Sequence, residues 1–305
     1  MRIVFLGQAA FGKESLEALL AQKEEVVGVI TVEDPPNPKY PNPVKECAVE
    51  HGIELCQANY LKKTAIIDWT KGLQPDLLVL AFVTSFVPQE MIDAATHGGI
   101  NYHPSLLPKY RGGSAINWAI INGESETGVT IHYIDEGVDT GPILLQEAVT
   151  IEPHDTVKSV YFEKLYPLGI AMIARAVQEI REGKATASPQ DESCASFQPV
   201  ITPADTVVDW SRPTSEVYNL LRGANPSPGA VTTINGKSCK LFDAAILDGT
   251  GIPGTVIQVG ESGFTVATGD GALEIHSAQV PGNRKQPAQE FATAVGIKAG
   301  VQLGS

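Results

Sequence analysis

The chain has 305 residues, with 22 Lys and Arg against 35 Asp and Glu, a formal net charge of −13; 43% of it is hydrophobic and 19% charged. That composition supplies sizeable cores and excludes general disorder, and the length suits two domains better than one. No run approaches the ~18–20 apolar residues that span a bilayer. The net acidity disfavours a polynucleotide partner, which a basic patch or basic domain normally meets. Cys47, Cys56, Cys194 and Cys239 are scattered, with no Cys-x-x-Cys pair and no His spaced for zinc. They read as reduced thiols of a cytoplasmic protein without a metal centre.

From Arg2 to Gly7 an apolar strand leads into a Gly turn at Gly12, then a helix with Leu16, Leu19 and Leu20 on one stripe, then a strand from Val26 to Thr31. This βαβ opening reads as a buried first strand rather than a signal peptide. Gly7 lets a ligand approach the backbone, but Gly7 and Gly12 do not make Gly-x-Gly-x-x-Gly, and tight strand-to-helix turns are their first reading. Asp34 to Pro43 carries five prolines and is irregular. Helical runs at 44–51 and 65–72 flank a short strand near Leu55. Leu77 to Phe82 is continuously apolar, as a central parallel strand buried on both faces would be. Ligands of such sheets bind beyond the carboxyl ends of the strands. The loop from Phe82 to Phe86 and the strand end at Asn101–His103 are therefore expected to share one crevice.

The stretch from Gly98 to Gly141 carries the chemistry. Ile100 and Tyr102 suit a short strand that Pro104 must end. Asn101 and His103 then lie on one face, and a strand from Thr127 to Tyr133 leads to a Gly-flanked loop bearing Asp139. A neutral donor, an imidazole and a carboxylate suffice for acyl transfer without metal or covalent intermediate. A carboxylate beside His103 favours the imidazolium and raises its pKa above about 6.5, with burial opposing. Ser114 to Asn122 reads as a helix capped by Ser114, Ile143 to Ile151 as a strand, and Thr156 to Gly183 as one long amphipathic helix. The chain then turns polar. Beyond it lie a short helix at 215–222, five short strands, a hairpin turn at Asn235-Gly236 and a final helix at 287–295, which suit a small open barrel. The expected division is 1–187 for an α/β domain with a mostly parallel, Rossmann-like sheet, 188–203 for a linker, and 204–305 for an OB-like barrel.

Asn101-x-His-x-Ser-Leu-Leu-Pro-x-x-Arg-Gly112 followed by Asp135-x-Gly-x-Asp-Thr-Gly141 resembles the signature of enzymes that use N10-formyltetrahydrofolate. These include methionyl-tRNA formyltransferase, the amino-sugar formyltransferases of lipid A and O-antigen synthesis, and the hydrolase domain of 10-formyltetrahydrofolate dehydrogenase. The resemblance implies N10-formyltetrahydrofolate as formyl donor and no metal. It implies Asn101 as hydrogen-bond donor, His103 as acid and oxyanion partner, and Asp139 as the group that charges and orients the imidazole. By the same resemblance Phe82, Val83, Thr84, Ser85 and Phe86 lie along the folate, chiefly through backbone, together with Asp135, Gly137 and Val138. Gly7, Ser105, Lys109, Arg111 and Gly112 fall on the substrate side, with Ser105 and Thr140 as supporting hydrogen-bonders. For the acceptor, Asn101 stands where the hydrolases carry an apolar residue. The short acidic loop from Val32 to Tyr40 replaces the basic loop of tRNA enzymes. The expectation is a sugar nucleotide or other small amine, ahead of methionyl-tRNA and of water.

Overall fold

The computed structural model describes residues 1–304. Its first unit is organised on a seven-stranded sheet of order β3-β2-β1-β4-β5-β7-β8. These strands are β1 (Arg2–Gly7), β2 (Glu25–Thr31), β3 (Leu55–Gln57), β4 (Leu77–Ala81), β5 (Gly99–His103), β7 (Glu126–Tyr133) and β8 (Ile143–Thr150). The two-residue β6 (Arg111–Gly112) lies outside this sheet. β1 to β5 pair in parallel, whereas β7 runs antiparallel to β5. β4 is buried at every residue, as its unbroken apolar sequence requires of a strand covered on both faces. Chain order reverses between β1 and β4, which opens the crevice typical of doubly wound sheets beyond their carboxyl ends.

The helices fall where the apolar periodicity puts them. α1 (Ala9–Ala21) buries Phe11, Leu16 and Leu19. α2 (Pro43–Glu50) starts with the Asn42 side chain accepting from the N–H groups of Val44 and Lys45, an N-cap that satisfies two otherwise orphaned donors. α3 (Thr64–Gly72) and the short α4 (Gln89–Ile92) follow. Two expectations fail locally. Ser114 precedes α5 (Ala115–Ile121) but sits at φ 60° and makes no side-chain cap; its Oγ instead accepts from Ile201 N–H at 3.1 Å. The single helix expected from Thr156 is interrupted. α6 (Val157–Ser159) passes through a π-type turn, Val160–Leu165, before α7 (Tyr166–Arg181).

The second unit gathers residues 112–127, 149–163 and 198–305, and the first gathers 1–111, 128–148 and 164–197. Compactness thus departs from chain order, because α5 packs with α8 (Thr214–Gly223), where Asn117 Nδ2 donates to the Gly223 carbonyl at 2.8 Å. After the short β9 (Phe197–Gln198), strands β10 (Ala230–Ile234), β11 (Lys237–Leu241), β12 (Ala244–Leu247), β13 (Val256–Val259), β14 (Phe264–Ala267), β15 (Ala272–Ile275), β16 (Ser277–Gln279) and β17 (Gln286–Pro287) precede α9 (Ala288–Val295). They form two four-stranded sheets, β10-β11-β16-β17 and β12-β15-β14-β13. The chain passes from one sheet to the other at His276, between β15 and β16. Phe264, Leu273, Ile275 and Phe291 fill the core. Asn235 and Gly236, at φ 51° and 72°, close the β10–β11 hairpin, as that dipeptide does in type I′ turns.

Candidate active site

β5 stops at His103 because Pro104 has no N–H for the ladder. β7 pairs with it in the register Asn101↔His132 and His103↔Thr130, so a second imidazole faces Asn101 directly. The loop after β7 then folds back over the strand. A Cβ on Gly141 would lie 1.8 Å from the Tyr133 carbonyl oxygen, so only glycine permits this approach. Asp139 takes φ 56°, the left-handed region that Asp tolerates better than most residues. Asp135 braces the same turn, its Oδ1 accepting from Gly137 N–H at 3.0 Å and Thr140 Oγ at 2.6 Å.

Asp139 is the hub. Its Oδ2 lies 3.4 Å from His103 Nδ1, and its Oδ1 lies 3.4 Å from His132 Nε2. Asn101 Nδ2 approaches that same Oδ1 at 3.4 Å and His132 Nε2 at 3.2 Å. The tautomers follow from partners that can only accept. His132 Nδ1 is 2.8 Å from the Tyr133 carbonyl and so carries its proton, leaving Nε2 to accept from the Asn101 amide. His103 Nε2 is 2.8 Å from the Tyr110 carbonyl and carries its proton likewise. The neutral His103 ring therefore turns a bare Nδ1 toward Asp139.

His103 is 4% exposed. Burial holds its pKa below the usual histidine value, against the pull of the Asp139 carboxylate and the Tyr110 carbonyl, while His132 pushes it further down. The expected upward shift is thus reversed. Enclosing the whole ring outweighs one carboxylate at 3.4 Å.

Asn101, His103 and Asp139 converge as the sequence motif implies. The other expected residues divide. Phe82 (φ 61°) and Phe86 stand half-exposed on the loop after β4, and Val138 is exposed on the Asp139 loop. Ser85 Oγ donates to the Asn59 carbonyl at 2.9 Å; Val83 is half-buried and Thr84 exposed. Ser105 Oγ donates to the Lys109 carbonyl at 2.7 Å and its own carbonyl accepts from Thr130 Oγ at 2.7 Å, so it holds the loop together. Lys109 is exposed. Arg111 is 7% exposed, its guanidinium engaged by Gln190 and Glu192. Gly7 closes on Gly12, where an added Cβ would come 3.2 Å from the Gly12 Cα; Gly112 is half-buried at φ 92°. His132, Tyr110 and Gln190 were not expected. Only His132 left a signal, since it falls in the strand Thr127–Tyr133, whose register against Asn101 is a matter of tertiary pairing.

An amide donor, two imidazoles of fixed tautomer and a carboxylate at the carboxyl end of a doubly wound sheet are groups able to move a proton and to hold an oxyanion, the chemistry that acyl transfer requires. Among the described residues, no group of three or more His, Cys, Asp or Glu side chains could hold a metal ion. The formyl transferase pattern matches residues 1–176, and the formyl transferase C-terminal domain pattern matches residues 200–296. A methionyl-tRNA formyltransferase of Trichlorobacter lovleyi is 36% identical over 99% of this chain and 96% of its own. One of Geobacter sulfurreducens is 36% identical over 100% of this chain and 97% of its own. An N-formyltransferase of Helicobacter canadensis, solved in complex with folinic acid and dTDP-3-aminofucose, superposes with a TM-score of 0.69 at 22% identity, covering 91% of this chain and 98% of that one. This chain belongs to the formyl transferase family. It is a folate-dependent formyltransferase whose donor is N10-formyltetrahydrofolate.

Proposed function

We propose that this enzyme formylates the amino group of methionyl-tRNA. The observation that carries this reading is the reach of the similarity. The relatives named for that reaction match across both units at 36% identity, with 96–97% of their own length covered. The sequence expectation of a sugar nucleotide acceptor rested in part on acidity and on the loop after β2. Both weigh less once the charges are placed. Residues 200–305 hold seven Lys and Arg against nine Asp and Glu, so all but two of the net negative charges lie before residue 200. In the loop, Asp34 pairs with Lys45 and Glu33 with Lys63, which spends its acidity internally.

N10-formyltetrahydrofolate supplies the carbonyl carbon that the amine attacks. The half-exposed Phe82 and Phe86 and the exposed Val138 offer apolar surface to its ring system. Asn101 has both amide protons committed, to His132 and Asp139. One of them is redirected to the formyl oxygen as charge builds there. An aminoacyl α-amine has an ordinary pKa of about 7.7–8.0 and is substantially neutral near pH 7.5. The proton it sheds on attack passes to the Asp139–His103 pair, where the bare Nδ1 accepts and the carboxylate stabilises the resulting imidazolium. Burial disfavours keeping that charge, which promotes its delivery to the departing N10.

The test offers N10-formyltetrahydrofolate with three acceptors: methionyl-tRNA, a dTDP-amino sugar, and water alone. Formylation of methionyl-tRNA at a kcat/KM at least ~100-fold above that of the amino sugar is the expected result, a gap built from several contacts of the usual size. The reverse preference returns the acceptor to the sugar nucleotides, and donor loss without any amine identifies a hydrolase.

A further inference from the structure

Gln190 follows α7 in a polar segment that carries none of the motif residues. Its Nε2 donates to two main-chain carbonyls of the catalytic loop, Asp139 at 2.8 Å and Gly141 at 2.7 Å. Its Oε1 accepts from Arg111, at 3.1 Å from Nε and 2.8 Å from Nη2. A guanidinium only donates and carbonyls only accept, so one orientation of the amide satisfies all four bonds. Arg111 completes its set with Glu192, at 2.9 and 2.7 Å, and its backbone N–H donates to the Ser196 carbonyl at 2.8 Å. One residue earlier, Tyr110 gives its carbonyl to His103 Nε2 and its N–H to Ser196 Oγ, each at 2.8 Å.

His103 is thus gripped from two sides. The Tyr110–Arg111 segment holds Nε2, the Asp139 loop faces Nδ1, and Gln190 bonds to both. We infer that Gln190 is a positioning residue for formyl transfer, locking the Asp139 loop onto the Tyr110–Arg111 segment and so setting the gap between Asp139 and His103. Without it, two loop carbonyls lose a donor while Asp139 still has to hold its left-handed backbone. The inference rests on the assignment of His103 and Asp139 to the reaction, and is independent of the acceptor.

Two variants of the full chain test it. Gln190→Glu keeps the size and the acceptor for Arg111 but sets a carboxylate oxygen against the two loop carbonyls. Gln190→Leu removes donor and acceptor together. The measurements are the thermal midpoint, kcat and the donor KM, and the NMR titration of the His103 ring, whose ionisable neighbours are Asp139 and His132. In both variants kcat should fall by at least about tenfold, the scale of a sub-ångström misplacement. The donor KM should change by less than about threefold, as for lost transition-state rather than uniform binding. In Gln190→Leu the His103 midpoint should move down, because the carboxylate that raises it is no longer held in place; in Gln190→Glu the added negative charge opposes that shift, so the titration is decided by Gln190→Leu. A wild-type titration and kcat in both variants would overturn the inference. So would a lowered thermal midpoint with an unmoved titration, which marks a merely structural residue. If Gln190→Glu does not fold, Gln190→Leu decides alone. Should the wild type transfer formyl to no amine, the titration still decides this point while the proposed function falls.

Discussion

At the residue scale the proposed mechanism turns on the charge state of His103. Its pKa lies below the ordinary 6.5, chiefly through burial, so the ring is neutral at physiological pH and protonates only in acid. The predicted kcat/KM therefore falls below about pH 8 as the α-amine protonates, and the acid limb that belongs to the enzyme begins only below about pH 6.5. Asp139→Asn keeps the shape and the tolerance for φ 56° but removes the charge that raises the imidazole pKa. The acid limb should move to lower pH as activity drops; an acid limb that stays put in this variant would remove Asp139 as the partner of His103. The stability linkage has the same sign. The unfolded chain takes up a proton near pH 6.5 that the native ring still refuses, so stability is full above that pH and is lost as pH falls toward the native pKa. His103→Ala and Asp139→Ala should together cost little more than either alone, as for residues that share one proton path; multiplicative losses would show independent roles. Asn101→Ala removes one oxyanion donor and should lower transfer by roughly 10²–10³. It also frees His132 Nε2, to which the amide donates. Near-normal transfer by this variant would exclude Asn101 from the mechanism.

At the element scale the site depends on how closely one loop crosses one strand. Gly141→Ala would put a methyl group 1.8 Å from the Tyr133 oxygen, the same oxygen that fixes the His132 tautomer. The loop must lift, taking Asp139 with it. The predicted cost is about 1–3 kcal/mol of stability and about 10²-fold in kcat, read from denaturant unfolding and steady-state rates. Wild-type values for both would mean that the loop has slack the close contact does not suggest. The elements themselves were legible. The apolar runs of β1, β2 and β4, the stop at Pro104 and the Asn-Gly hairpin each follow from local chemistry that tertiary context leaves alone. The motif also placed Asn101, His103 and Asp139 together. What could not be read was pairwise and long-range: the β5–β7 register that brings His132 opposite Asn101, the Gln190 bridge across 51 residues to Asp139, and the Ser114 hydroxyl bonded to Ile201 rather than to its own helix. The sign of the His103 shift belongs with these, because it depends on how fully the ring is enclosed.

At the scale of the whole molecule the question is how an acidic protein would hold a polyanion. Four of the seven basic residues after residue 200 fall on or beside one sheet, β10-β11-β16-β17. Lys237 and Lys240 lie on β11, and Arg284 and Lys285 directly precede β17. Lys285 is already paired with Asp243 at 2.7 Å and lies over the Phe242 ring, so on the proposed acceptor the phosphate contacts would fall to Lys237, Lys240 and Arg284. Each phosphate contact releases condensed counterions, so binding through this sheet should weaken linearly in log affinity against log salt. Replacing Lys237 and Lys240 by Ala should raise the KM for methionyl-tRNA at low salt and reduce the salt slope by about one unit per lost contact. The kcat and the donor KM should stay near wild type, since neither lysine lies in the unit that carries Asn101, His103 and Asp139. KM measured from low to moderate salt for the wild type and the double variant settles the matter. An unchanged KM and slope would show that this sheet meets no tRNA phosphate, and a wild-type enzyme indifferent to salt would argue against any polynucleotide acceptor.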